Sequence, residues 1–181
     1  MDDNIKTESA VFAGGCFWCT EAIFKALKGV VSVMPGYTGG TFKNPTYYDV
    51  AGGKTGHAES IKIDFNPLII SFRDLLEIFF STHDPTQLNR QGHDTGPEYR
   101  SVIFYVSEEQ KIQAQQFIQE LTKAGTFDKP IVTALEPLTD FYPAEQEHVD
   151  FASKNPNSPY CAYVINPKLD KFKKKYSTIL K

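Results

Sequence analysis

Cysteine is scarce in this chain, at three residues among 181, and tryptophan is scarcer still, at one. So few cysteines exclude the stapled scaffold of a small secreted domain, and each thiol is left to be read as core filler, metal ligand or reactive group. Long apolar runs are lacking as well, so no stretch is suited to a helical membrane span. The start, Met1-Asp2-Asp3-Asn4, is acidic and lacks the basic region and apolar core of a signal peptide, so a cytoplasmic location is expected. Net charge is only −3 with the signs mixed along most of the chain, which argues against nucleic acid or a membrane surface as partner. The one lopsided stretch gathers Lys168, Lys171, Lys173, Lys174, Lys175 and Lys181 near the C-terminus. Its plain reading is a solvated helical end, favoured by the helix macrodipole. No repeat or linker divides the chain, so one domain over 1–181 is expected, with 140–181 as a C-terminal arm. A chain of this length can bury roughly 70% of its unfolded surface and needs no metal to hold together.

What is present is a succession of short strands and helices. Ser9 to Ala13 reads as a buried strand that stops at Gly14-Gly15, and Cys16 to Lys28 carries a helical face of Ile23, Phe24 and Leu27. Val30 to Val33 reads as a second strand. Gly36 to Gly56 is rich in Gly, Tyr, Thr and Asn-Pro and predicts a long ordered loop. His57 to Phe65 alternates, with His57, Glu59, Ile61, Ile63 and Phe65 on one face. Ser71 with Asp74 opens a helix through Phe80, and Ser107 with Gln110 opens another that ends at Gly125. Tyr99 to Val106 and Val132 to Leu135 predict further strands, and the remainder predicts loop and short helix. The pattern points to an α/β (α+β) two-layer sandwich, helices on a mixed β-sheet.

The chemistry gathers first at Gly14-Gly15-Cys16-Phe17-Trp18-Cys19. A thiol at a helix N-terminus meets free N–H groups and the positive end of the dipole, which lower its pKa and favour thiolate. Cys16 and Cys19 also form a C-x-x-C, open to two readings: a dithiol couple on one helical face, or half a zinc site. Zinc needs four ligands, and with one further cysteine and no paired-histidine spacing no metal is expected. Glu59 shares its strand face with apolar residues. Either its carboxyl is buried and its pKa raised, suiting a proton donor, or it reaches water at the strand end. Tyr37, Tyr47, Tyr48 and Tyr99 are phenols that could donate to an oxygen. The polar segment from His83 through Gln91, His93 and Asp94 forms a candidate wall of the site. Cys161, in a Pro-rich loop, suits a second thiol on a movable segment that reacts with an oxidised Cys16.

Taken together, Gly15-Cys16-Phe17-Trp18, Gly36-Tyr37-Thr38-Gly39-Gly40, Asn44-Pro45-Thr46-Tyr47, Thr55-Gly56-His57-Ala58-Glu59, and His83-Asp84-Pro85 through Arg90-Gln91-Gly92, Asp94 and Tyr99-Arg100-Ser101 resemble peptide-methionine sulfoxide reductases of the A class. The resemblance implies a ferredoxin-like core with long coil segments. It implies reduction of the S epimer of methionine sulfoxide, free or in proteins, with thioredoxin as electron source, no cofactor, and a monomer by default. It makes Cys16 the nucleophile, Phe17 and Trp18 the cradle of the substrate methyl group, and Tyr47, Glu59 and Tyr99 the surround of the sulfoxide oxygen. Asp94 and His93 would support substrate binding. Cys161 is the first choice to resolve the oxidised cysteine and Cys19 the second. A general thiol–disulfide oxidoreductase and a non-catalytic module that binds oxidised methionine remain as rivals.

Overall fold

The computed structural model describes residues 6–181; the acidic start Met1–Asn4 lies outside the described residues. In chain order the main elements are β1 (Glu8–Gly14), α1 (Phe17–Lys25), β2 (Val30–Thr38), α2 (Tyr47–Ala51), β3 (Ala58–Phe65), α3 (Phe72–Thr82), β4 (Arg90–Gln91), β5 (Asp94–Thr95), β6 (Ser101–Tyr105), α4 (Glu108–Lys123), β7 (Ala134–Pro137), β8 (Tyr142–Pro143), α5 (Phe151–Lys154) and α6 (Asn166–Lys175). A six-stranded sheet has the order β7-β6-β1-β3-β2-β8. β1 pairs antiparallel with β3 and β6, β2 pairs antiparallel with β3 and β8, and β6 runs parallel to β7. The inner strands, β1-α1-β2-β3-α3-β6, make the split βαβ arrangement of a ferredoxin-like core.

β1 is apolar at successive positions because both its faces are covered. Ala10 and Phe12 belong to the main core with Phe24, Leu75 and Phe79, while Val11 and Ala13 pack with Ala58, Val102 and Phe104. Phe12 lies 4.8 Å from Phe79 and 5.8 Å from Phe24, ring to ring, and so ties the sheet to both α1 and α3. α3 begins where the sequence placed it, with Ser71 and Asp74 forming a reciprocal capping box.

Several expectations need correction. β2 runs on to Thr38, since its pairing with β3 continues through Tyr37↔Glu59 and supplies backbone partners where glycines and tyrosines suggested a loop. Within the same stretch, Thr46 and Asp49 cap a short helix, α2. Tyr99 does not begin a strand; it closes a 3₁₀ turn, Pro97–Tyr99, and β6 starts at Ser101. The C-terminal arm is loop and short helix up to Tyr160, as expected, but helical beyond it. Cys161–Ile165 forms a π-helical turn leading into α6. The last residues bond back to the end of α1: Lys28 N–H donates to Ile179 O at 2.8 Å and Lys181 N–H to Ala26 O at 2.9 Å. Glu21, buried on α1, accepts the Asp150 N–H through both its oxygens, and Lys25 pairs with the Asp150 carboxylate. That anchor pushes the arm against the helix that carries Cys16.

Candidate active site

A strand, a glycine turn and a helix start position the first thiol. Gly15 has φ +97°, a conformation that strains any side chain, and a Cβ there would lie 2.7 Å from Gln91. Cys16 is then the N-cap of α1, and its carbonyl accepts the Cys19 N–H at 3.1 Å. The next N–H of the helix start, on Phe17, donates to Glu59 Oε2 at 3.1 Å.

Glu59 therefore faces inward, and the choice between buried and solvated is decided by packing. It sits 2% exposed on β3, opposite Tyr37 of β2. Burial raises its pKa to about 8, with the Asp94 and Glu98 charges adding to the rise and the Phe17 N–H opposing it. At neutral pH this carboxyl is mostly protonated, a proton source with its donor hydrogen in place.

The thiol behaves otherwise than its place in the sequence predicts. Cys16 is 8% exposed, and burial pushes its pKa well above the ordinary thiol value, with the Cys19 contact and the Glu59 charge pushing the same way. The first N–H of the helix start, on Phe17, is taken by Glu59 rather than by the thiol. Cys19, one helical turn on, moves down instead: the Cys16 thiol is its hydrogen-bonding partner, and Lys168 and Tyr160 stabilise its charged form further.

Aromatic rings wall the acid. Phe17 stacks toward Tyr47 at 6.5 Å and Trp18 toward Tyr47 at 6.4 Å, centroid to centroid. Burial lifts the Tyr47 pKa to about 12 and raises that of Tyr99 also, the Glu59 charge being the next cause for both. Both phenols thus stay protonated beside the carboxyl, as hydrogen-bond donors. Asp94 is engaged differently from a free polar support: its Oδ2 accepts the Tyr160 hydroxyl at 2.6 Å. His93 is exposed and lines the same cavity as Cys16 and Cys19. Cys161 is fully buried in an apolar cluster with Cys19 and Ile165, so it fills core as well as carrying a thiol.

Three further residues reach the site that sequence reasoning passed over. Glu145 accepts the Tyr37 hydroxyl and the Tyr47 backbone N–H, each at 2.7 Å, and so fixes the start of α2. His148 accepts the Trp18 indole N–H at Nδ1 (3.2 Å) and stacks on Tyr47 at 4.3 Å. Tyr160 lies beside both thiols of the Cys16–Cys19 pair. All three come from the C-terminal arm, and only the anchored arm brings them to hydrogen-bond partners 66 to 130 positions earlier. The Pro143-Ala144-Glu145 turn is the single local signal, and it says nothing about a partner.

With that geometry in place, comparison with known proteins is decisive. Residues 8–180 match the family model described as peptide methionine sulfoxide reductase. The chain belongs to that family. The peptide methionine sulfoxide reductase MsrA of Thermus thermophilus is 51% identical over 174 residues, covering 96% of this chain and 98% of the relative. Mxr1 from Saccharomyces cerevisiae in reduced form is a structural neighbour with TM-score 0.81 and 34% identity, over 88% of this chain and 91% of that one. Mxr1 in complex with Trx2 is a more distant neighbour, with TM-score 0.58 and 26% identity over 83% and 88%. As a peptide methionine sulfoxide reductase, the chain reduces methionine sulfoxide in a thiol-dependent reaction through a catalytic cysteine, on the mixed α/β fold of its relatives.

Proposed function

We propose that in this reductase Cys16 is the attacking thiol and Glu59 the proton donor to the sulfoxide oxygen. The observation that carries the reading is the bond from the Phe17 N–H to a buried Glu59, because it sets a neutral acid one residue from the thiol. A sulfoxide oxygen leaves sulfur readily only once it is protonated. Glu59 gives it that proton, Tyr47 and Tyr99 donate hydrogen bonds to it, and the Cys16 sulfur attacks. The Cys16 thiol proton restores Glu59. The oxygen passes to Cys16 as a sulfenic acid and the thioether is released, so thiol plus sulfoxide becomes sulfenic acid plus thioether. Phe17 and Trp18 offer the apolar wall for the methyl group. Preference for the S epimer follows from the A-class resemblance.

A second thiol then condenses with the sulfenic acid and expels water. Cys19 takes this role in our reading, supported by its contact with Cys16 within one turn of α1; Cys161 is the reserve candidate. A thioredoxin-family partner supplies two electrons and two protons to reopen the disulfide, and thioredoxin itself is the reductant we propose. Three unpaired cysteines suit a reducing compartment such as the cytoplasm, and a monomer acting without a metal or cofactor is the simplest form of the enzyme.

The test is Cys16→Ser, assayed for methionine released from a sulfoxide peptide. We expect complete loss of turnover with the circular dichroism spectrum unchanged. Substantial release by that variant would remove the proposal.

A further inference from the structure

A cavity of about 750 Å³ opens onto Cys16 and Cys19, yet none of Glu59, Tyr47, Tyr99, Phe17 and Trp18 lies on its lining. Glu59 and its aromatic surround thus meet Cys16 from one side, and the cavity, with His93 and Asp94 on its wall, meets the thiol pair from another. Cys161 does not reach the cavity, although its neighbour Tyr160 does.

One wall of this cavity is the lysine-rich helix. Lys168, Lys171 and Lys175 of α6 all line it, at spacings of three and four that put them on one helix face. Lys129 adds a fourth cation from the loop after α4. Among the described residues none of the four is in an ion pair. Acidic groups stand on other walls, Asp84, Asp94 and Asp128; Asp84 accepts from Thr86 and feels the Lys129 charge, and Asp94 accepts from Tyr160. The α6 wall is a row of three positive charges beside two thiols, facing the aspartates of the other walls, in a chain whose net charge is −3.

Resting on the function proposed above, we infer that the Lys168–Lys171–Lys175 face of α6 docks the disulfide reductant, an acidic-rimmed dithiol protein, over the oxidised Cys16–Cys19 pair. A thiolate of the partner attacks the Cys16 sulfur and the Cys16–Cys19 bond breaks, leaving a mixed disulfide and a Cys19 thiolate. The partner's second thiol then displaces Cys16, so the partner leaves oxidised and both cysteines return to thiols. Lys168 has a second part in this, since its charge favours the departing Cys19 thiolate. A steered encounter of opposite charges raises the association rate and makes it sensitive to salt.

The test is the double variant Lys171→Glu, Lys175→Glu, which spares Lys168, with Lys173→Glu, Lys174→Glu on the same helix as control. Single-turnover release of methionine, measured without reductant, is expected to be unchanged in both. With thioredoxin in recycling assays, the KM for thioredoxin should rise about tenfold or more in the Lys171→Glu, Lys175→Glu variant and lose its salt dependence. With dithiothreitol in its place, both variants should cycle at the wild-type rate. A thioredoxin KM that does not move overturns the inference, as does an equal loss with dithiothreitol. Slowed single turnover would assign the face to the sulfoxide peptide instead, and overturn it too. The milder Lys171→Gln, Lys175→Gln variant repeats the measurement should the charge-reversed protein fold poorly. Failure of the reductase reading itself would appear separately, as no methionine release from the wild type.

Discussion

The Phe17 backbone N–H donates to Glu59 Oε2 at 3.1 Å. In consequence the helix start that should have activated the Cys16 thiol holds the acid instead. The proposed proton source and the proposed nucleophile are joined by one residue of backbone, and burial is the first cause of the raised Cys16 pKa.

Replacing the acid tests that division. Glu59→Gln removes the transferable proton while keeping an acceptor for the Phe17 N–H. The single-turnover rate of sulfoxide reduction should fall roughly 10²–10⁴-fold with little change in substrate affinity, as for other displaced general acids. A rate within a factor of two of wild type would end the acid role.

The same group predicts a pH dependence of both rate and stability. Its folded pKa, about 8, lies above the ordinary glutamate value of 4.5. The folded state therefore holds this proton more tightly than the unfolded one. Stability is favoured at low pH and is lost as pH rises from near 4.5 through about 8. Thermal unfolding should show Glu59→Gln gaining Tm relative to wild type at pH 9 and gaining far less at pH 4. Wild-type single turnover should decline above pH 8 as the acid ionises.

Cys19 and Cys161 separate by counting product. With thioredoxin present, Cys19→Ser should release about one methionine per enzyme and stall, whereas Cys161→Ser should keep cycling. Mass spectrometry of the wild type after one turnover should find a Cys16–Cys19 disulfide. Stalling of the Cys161 variant alone would transfer the role to the arm.

Tyr160 lies beside both thiols and favours their charged forms. Tyr160→Phe removes that hydroxyl and leaves Asp94 without its donor. The rate of iodoacetamide alkylation against pH should shift to higher pH in this variant. An unmoved profile would mean the hydroxyl serves only to hold the arm.

His148 holds the plane of Trp18 through the indole N–H. In His148→Phe the stack on Tyr47 can persist while the half-buried indole donor loses its acceptor, at a cost of about 1–3 kcal/mol in stability. His148→Asn, which can place an oxygen near the lost Nδ1, should recover much of that. Denaturant unfolding followed by tryptophan fluorescence would read both. Equal losses in the two variants would show that ring packing, not the bond, is what matters.

The sequence by itself determined what local rules govern. Ser71 and Asp74 cap α3 because a hydroxyl and a carboxylate three residues apart satisfy each other's backbone groups whatever surrounds them. Gly15 had to be glycine at a strand-to-helix turn, and the alternation of β3 put Glu59 on the apolar face. Only the tertiary structure decided how those residues behave. Whether Glu59 meets water, which carbonyl or carboxylate takes the Phe17 N–H, and whether the Cys16 pKa rises or falls all depend on groups packed around them from β2, β3 and the arm. Glu145, His148 and Tyr160 carry no periodicity that points to Tyr47, Trp18 or Asp94. Their contacts close over long loops, and the specificity of such closures lies in the folded packing rather than in any window of sequence.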